Sequence, residues 1–144
     1  MFGLCSLMRI IAFRSEYQLT IDPAQNRIFY QNFGQMRAAT FLPHYRDDWS
    51  AALAEMSPGF VILSDMQVVN EHGTALLHEF QAVEQLIVQR GVALVAEVHV
   101  PGLSTRHYTD AVTTSQAMPV EYFLDIWDAT QFLDELQFRA DTAA

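Results

Sequence analysis

Hydrophobic side chains along this chain change period several times, and each change marks a structural element. The residues Phe60-Val61-Ile62-Leu63-Ser64-Asp65, and again Val92 to Val100, form largely apolar runs of strand length. Between them Leu76, Phe80, Val83 and Ile87 fall at i, i+4, i+7 and i+11, the stripe of a helix predicted from His72 to Arg90 and closed by Gly91. Strand, helix and strand in that order predict a parallel pair joined by a right-handed crossover.

Two other runs, Tyr17 to Asp22 and Arg27 to Phe33, alternate apolar and polar residues about the turn-forming Pro23-Ala24-Gln25-Asn26, which predicts a β-hairpin. Trp49, Leu53 and Met56 then predict a helix over Arg46 to Met56, ended by Ser57-Pro58-Gly59. After Pro101-Gly102, Ser104 is placed to cap a helix through about Ser115. Pro119 precedes a strand over Val120 to Trp127, and Asp128, with Gln131 three residues on, is the expected N-cap of a last helix carrying Phe132, Leu133 and Leu136. The chain thus reads β-β-α-β-α-β-α-β-α, an α/β fold whose single-layer, mixed and mostly parallel sheet is opened by a β-hairpin. Residues 1–15 are expected as an N-terminal extension or edge segment, 16–138 as the domain and 139–144 as a disordered tail.

If the strands follow chain order, right-handed crossovers place the helices on one side of the sheet and leave the other partly covered. Strand alternation gives three strands a side that mixes polar and aromatic residues. Arg27, Phe29, Glu97, His99, Phe123 and Trp127 are therefore the expected interface or ligand face.

Composition narrows the function. A chain of 144 residues, 51% hydrophobic, fits one folded domain with a sizeable core. Seventeen acidic residues against eight basic ones give a net charge of -9, which repels phosphate backbones, so nucleic acid is not an expected partner. Cys5 is the only cysteine, which excludes an intramolecular disulfide and a thiolate metal cluster and points to a cytoplasmic protein. No apolar run approaches the roughly 20 residues of a membrane span. The apolar start, Met1 to Met8, lacks a preceding basic residue and is interrupted by Arg9 and Arg14, unlike a signal peptide.

The element order resembles the STAS-like (SpoIIAA-like) family of small regulatory α/β domains over about residues 16 to 138. The resemblance rests on the hairpin opening, on Phe60 to Asp65, on Gln89-Arg90-Gly91-Val92, and on Phe123-Leu124-Asp125-Ile126-Trp127-Asp128-Ala129 leading into Phe132-Leu133. It implies a switch loop after the third strand, where a kinase partner phosphorylates a Ser or Thr. In place of the family's usual Asp-Ser-Ser-Gly this chain has Asn70-Glu71-His72-Gly73-Thr74 in a shorter loop from Asp65. Thr74 is the matching phosphoacceptor; the plainer alternative makes Asn70 a helix cap and Thr74 an ordinary first-turn residue.

Glu97 and His99 point the same way along their strand and form a candidate acid-base pair, with His72 or His107 near the strand ends. No metal motif, nucleophile elbow or phosphate-cradling glycine loop accompanies them, so neither cofactor nor metal is expected. Asp65 and Asp128 resemble the strand-end carboxylates of receiver domains, but the chain has no lysine to serve an acyl phosphate. Trp49, Phe80, Phe132 and Leu133 are read as core. The expectation is a non-catalytic cytoplasmic regulatory or protein-interaction module, working with a protein partner or as a homodimer. The alternatives are a domain that binds a small apolar ligand between the sheet and the Leu103 to Met118 segment, or a small hydrolase or lyase using His99 and Glu97.

Overall fold

The computed structural model of the protein describes residues 7–36, 41–68, 76–99 and 118–143. Its strands are β1 (Arg9–Phe13), β2 (Tyr17–Asp22), β3 (Arg27–Asn32), β4 (Val61–Asp65), β5 (Leu94–Val98) and β6 (Val120–Phe123). The helices among the described residues are α1 (Tyr45–Ala54), α2 (Leu77–Arg90) and α3 (Ile126–Ala143). One open sheet holds all six strands in chain order, β1-β2-β3-β4-β5-β6. The first three pair antiparallel and the last three join in parallel, so the fold is α/β with a mixed sheet.

Short-range chemistry accounts for the joints. Asn26, at φ 56, ends the hairpin turn, and its side-chain amide exchanges two hydrogen bonds with the backbone of Ser57: its Nδ2 donates to the carbonyl at 3.0 Å and its Oδ1 accepts from the N–H at 2.8 Å. The turn is thereby fastened to the loop that feeds β4. Gly91 closes α2 at φ 93, a left-handed conformation favouring glycine, and a Cβ there would come within 3.3 Å of Pro58. Its carbonyl accepts from Gly59 N–H at 2.7 Å, which holds the entrances to β4 and β5 side by side.

Both faces of the sheet are covered, which corrects the expected one-sided arrangement. α1 and α2 lie on one face over Leu19, Ile21, Ile28, Ile62 and Val95. On the other, α3 brings Ala129 and Leu133 against Val61, Leu63, Ala96 and Val98. The physical reason is connectivity: α1 and α2 each cross between parallel strands and share the side that a right-handed crossover dictates. α3 follows β6, outside those two crossovers, and buries the remaining apolar face.

The segment before residue 16, expected as an extension or edge segment, provides edge strand β1, whose pairing with β2 shifts register between Ile10 and Ala12, a bulge of the kind that disfavours further pairing at a sheet edge. Two other boundaries differ from expectation. β6 stops at Phe123 and α3 begins at Ile126, so Trp127 is helical and Asp125, not Asp128, caps the helix by accepting from Asp128 N–H at 2.8 Å. Residues 139–143, expected as part of a disordered tail, continue α3, where Arg139 and Ala140 are strong helix formers. The expected helix from Ser104 to Ser115 lies outside the described residues.

A second fixed point joins β1, β2 and α1. Asp48 faces inward from α1 and accepts from Arg14 Nε at 2.8 Å, from Arg14 Nη2 at 2.9 Å and from the Tyr17 hydroxyl. Burial raises the Asp48 carboxyl, but the bonds from Arg14 and Tyr17 outweigh it and leave the group below its ordinary range. Replacing Asp48 with Ala strands both donors, and a charge-assisted bond is worth about 1.5–3 kcal/mol. Asp48→Ala is therefore expected to lower the unfolding free energy by ~3 kcal/mol in urea titration at neutral pH, and Asp48→Asn by less; a loss below about 0.5 kcal/mol for both would refute this role.

Candidate functional site

The parallel register aligns a row of polar side chains across four strands. Tyr30 pairs with Ser64, Ser64 with Glu97 and Glu97 with Tyr122. Residues in register share a face, and here it is the face beneath α1 and α2. Ser64 and Glu97 stand next to the last residues of β4 and β5, at the carboxyl end of the parallel strands where open α/β sheets place their ligands.

Tyr45 and Trp49 from α1, with Phe80, Val83, Glu84 and Ile87 from α2, roof this row and border a half-open cavity of ≈ 80 Å³. Ile62, Val95, Asn32, Met66 and Met118 complete its walls. The aromatic rings pack edge to face or tilted, with centroids 5.5 Å apart for Tyr30 and Trp49 and 5.4 Å for Tyr45 and Phe80. Burial raises the Tyr45 hydroxyl above its ordinary value, and the nearby Glu84 and Glu97 charges act in the same direction.

Two carboxyls meet this space. Glu97, on β5, is buried and its Oε1 lies 2.9 Å from His99 Nε2, so the pair expected from strand alternation is in hydrogen-bond contact. The His99 ring also lies against Tyr122, centroids 5.4 Å apart. Glu84, on α2, is 6% exposed, and its Oε1 has no hydrogen-bond partner among the described residues; the same is true of Trp49 Nε1. Burial, and secondarily the charge of Glu97, pushes the Glu84 carboxyl up to about 8, so at neutral pH it is predominantly the neutral acid. An uncharged proton donor thus stands beside a carboxylate-imidazole pair, an arrangement able to hold a polar ligand group or to give and take a proton.

The expected interface face does not exist as one surface. Glu97 and His99 belong to the α1/α2 side, whereas Phe29 and Phe123 pack on the α3 side. Arg27 is turned to that side too, donating from Nη2 to Asp134 at 2.8 Å and from Nε to Gln137 at 3.1 Å. Trp127 stands on the outer surface of α3, 66% exposed. The register explains the split: Val98, not Glu97, is opposite Phe123. What remains open on the α3 side is a groove of ≈ 360 Å³ beside the start of that helix, lined by Gln18, Thr20, Phe29, Gln31, Asp65 and Thr130 among others.

Of the expected switch-loop residues, Asp65 ends β4 and its Oδ1 accepts from Gln67 N–H at 3.1 Å and Gln67 Nε2 at 3.0 Å. Asn70, His72, Gly73 and Thr74 lie outside the described residues, as does His107. Trp49 and Phe80, read as core, are buried and also line the cavity, and Leu133 is core beneath α3. Phe132 is 41% exposed and touches Phe123 at the flank of the helix instead. Glu84 was not singled out by sequence reasoning. Its signal is nonetheless legible: it continues the stripe begun by Leu76 and Phe80, four residues after Phe80, where a carboxyl is out of place.

No group of three or more His, Cys, Asp or Glu able to hold a metal occurs among the described residues. No helix among them is long and apolar enough to cross a membrane. Comparison with protein-family models, with curated proteins and with solved structures finds no match to this chain.

Because Glu84 is more easily protonated in the fold than in the unfolded chain, the folded state holds the extra proton between about pH 4.5 and about pH 8. Stability is expected to fall as pH rises through that window. At about 1.4 kcal/mol for each tenfold change in proton affinity the full shift sets an upper bound of ~5 kcal/mol, which solvent screening reduces, so Glu84→Gln, which cannot ionise, is expected to exceed the parent by ~2 kcal/mol near pH 9 and to match it near pH 4. Urea unfolding of both proteins across this range checks it, and parallel curves would show that Glu84 titrates normally.

Proposed function

We propose that this chain is a non-catalytic regulatory domain of STAS-like type that senses a small, largely apolar molecule bound in the cavity beneath α1 and α2. The observation that carries the reading is the Glu84 carboxyl, buried without a hydrogen-bond partner among the described residues while lining that half-open cavity. Leaving such an atom unpaired costs on the order of 1–3 kcal/mol, a cost that a ligand donor, or water in the empty state, removes. The aromatic and aliphatic walls supply the apolar burial that makes binding favourable and the few polar atoms that orient a ligand.

This reading places the ligand under α1 and α2, with Met118 at its wall; residues 103–117 of the segment expected to cover it lie outside the described residues. Native mass spectrometry of the purified protein, and thermal-shift screening with small amphipathic molecules, are expected to reveal a bound or stabilising species. Ser64→Val, which adds bulk to the floor of the cavity, is expected to reduce that binding at least about tenfold with the circular dichroism spectrum unchanged. Retained binding in the variant would place the ligand elsewhere.

Exposed apolar residues favour a second activity, contact with another protein chain. Trp127 and Phe138 are 66% and 68% exposed and eleven residues apart on α3, which sets them on one stripe of the helix, and Leu124 stands exposed just before it. Self-association through this stripe is expected to appear in sedimentation velocity at high protein concentration and to vanish in Trp127→Ala and Phe138→Ala. A parent protein that sediments as a monomer throughout would exclude the homodimer.

A further inference from the structure

We propose that the cavity beneath α1 and α2 selects a small organic ammonium ion, held by the carboxylate of Glu84 among the rings of Tyr30, Tyr45, Trp49 and Phe80. The inference rests on the ligand-binding reading of that cavity and adds the charge and chemical class of the ligand.

Three observations converge on a cation. Glu84 Oε1 is an acceptor without a hydrogen-bond partner among the described residues, and it is almost wholly removed from solvent. Glu97 lines the same cavity from the facing strand, so an anionic ligand would meet two carboxyl groups, while a purely apolar one would leave Glu84 unpaired. A positive charge satisfies the acceptor and relieves the repulsion between the two carboxylates. The walls then favour an organic cation: Tyr30, Tyr45, Trp49 and Phe80 line the cavity together with the two carboxyls, and aromatic rings attract ammonium groups electrostatically. A bare metal ion would lack ligands, since no group of three or more His, Cys, Asp or Glu able to hold one is present among the described residues.

Size restricts the class further. The cavity volume of ≈ 80 Å³ is about half of the roughly 150 Å³ engineered cavity that accommodates benzene. A head group of a few non-hydrogen atoms fits, such as a primary alkylammonium or a methylated ammonium. Binding is coupled to proton release, because Glu84 gives up its proton to solvent when the cation takes that proton's place.

The indole N–H signals of the two tryptophans provide the readout, since Trp49 lines the cavity and Trp127 lies exposed on α3 and serves as the internal control. We expect ethylammonium chloride at about pH 9, where Glu84 is ionised, to shift the Trp49 signal saturably while Trp127 stays in place. Sodium chloride at equal ionic strength and ethanol at equal concentration should leave both signals unmoved. Affinity should fall at least about tenfold at about pH 6, where the proton competes, and to the same degree in Glu84→Gln. Should Glu84→Gln fail to fold, Glu97→Gln and the pH series carry the test: that variant is expected to weaken ethylammonium binding because one of the two charges is gone.

Ethanol matching ethylammonium at Trp49, or affinity independent of pH, would overturn the ammonium assignment while leaving a ligand cavity in place. Silence of Trp49 toward ethylammonium, together with a stabilising neutral compound in the thermal-shift screen, would have the same meaning. Silence in both experiments would overturn the cavity reading itself.

Discussion

A sheet covered on both faces gives its central strands no solvent side, so every polar group on them must be accommodated inside the protein. β4 and β5 are in this position, with α1 and α2 on one face and α3 on the other. Their apolar residues divide between two cores, Ile62 and Val95 below α1 and α2, Val61, Leu63, Ala96 and Val98 below α3. Ser64 and Glu97 are the buried polar residues of β4 and β5, and the register sets them side by side. A buried carboxylate without partners is too costly to persist, and His99 meets that demand for Glu97 at 2.9 Å. Glu84 has no equivalent neighbour among the described residues, which is why its proton is retained.

The fold was largely legible in the sequence because its strongest signals are local. The Phe60 to Val100 unit combines two unbroken apolar runs with a helix stripe, and β4, α2 and β5 lie within it. The hairpin announced itself through alternation and through a turn ending in Asn26, one of the few residue types that tolerates φ 56. What failed was information about the third dimension. The register shift between Ile10 and Ala12 interrupts the alternation that marks a strand, which hid β1. Ile126 and Trp127 have side chains common in strands, so the start of α3 was hidden until Asp125 was seen to cap it. Nothing in one sequence says on which side a terminal helix will settle.

The candidate site was half legible for a similar reason. Alternation within β5 placed Glu97 and His99 on one side, and they are in contact. Grouping them with Phe29 and Phe123 required the register between strands, which no single strand encodes. Glu84 approaches them from a helix, and its meaning depends on Tyr45, Trp49 and Phe80 excluding water around it. A carboxyl on an apolar stripe is the trace such a site leaves in a sequence, and sequence reasoning that follows only hydrophobic positions passes over it.

The bonds from Arg27 to Asp134 and Gln137 span 107 and 110 residues, and the Gln137 amide returns a bond to the carbonyl of Gln25. A guanidinium on β3 thus has these partners only after almost the whole domain has been made. During synthesis the hairpin, α1, β4, α2 and β5 can assemble from local contacts, while the apolar face under Ala129 and Leu133 waits uncovered and Arg27 waits unpaired. Loops of such length close at little extra entropic cost once the rest is in place. A chain that stops short of α3 would leave Arg27 without Asp134 and Gln137, and Val61, Leu63, Ala96 and Val98 without Ala129 and Leu133 over them, an apolar surface of the kind that promotes aggregation.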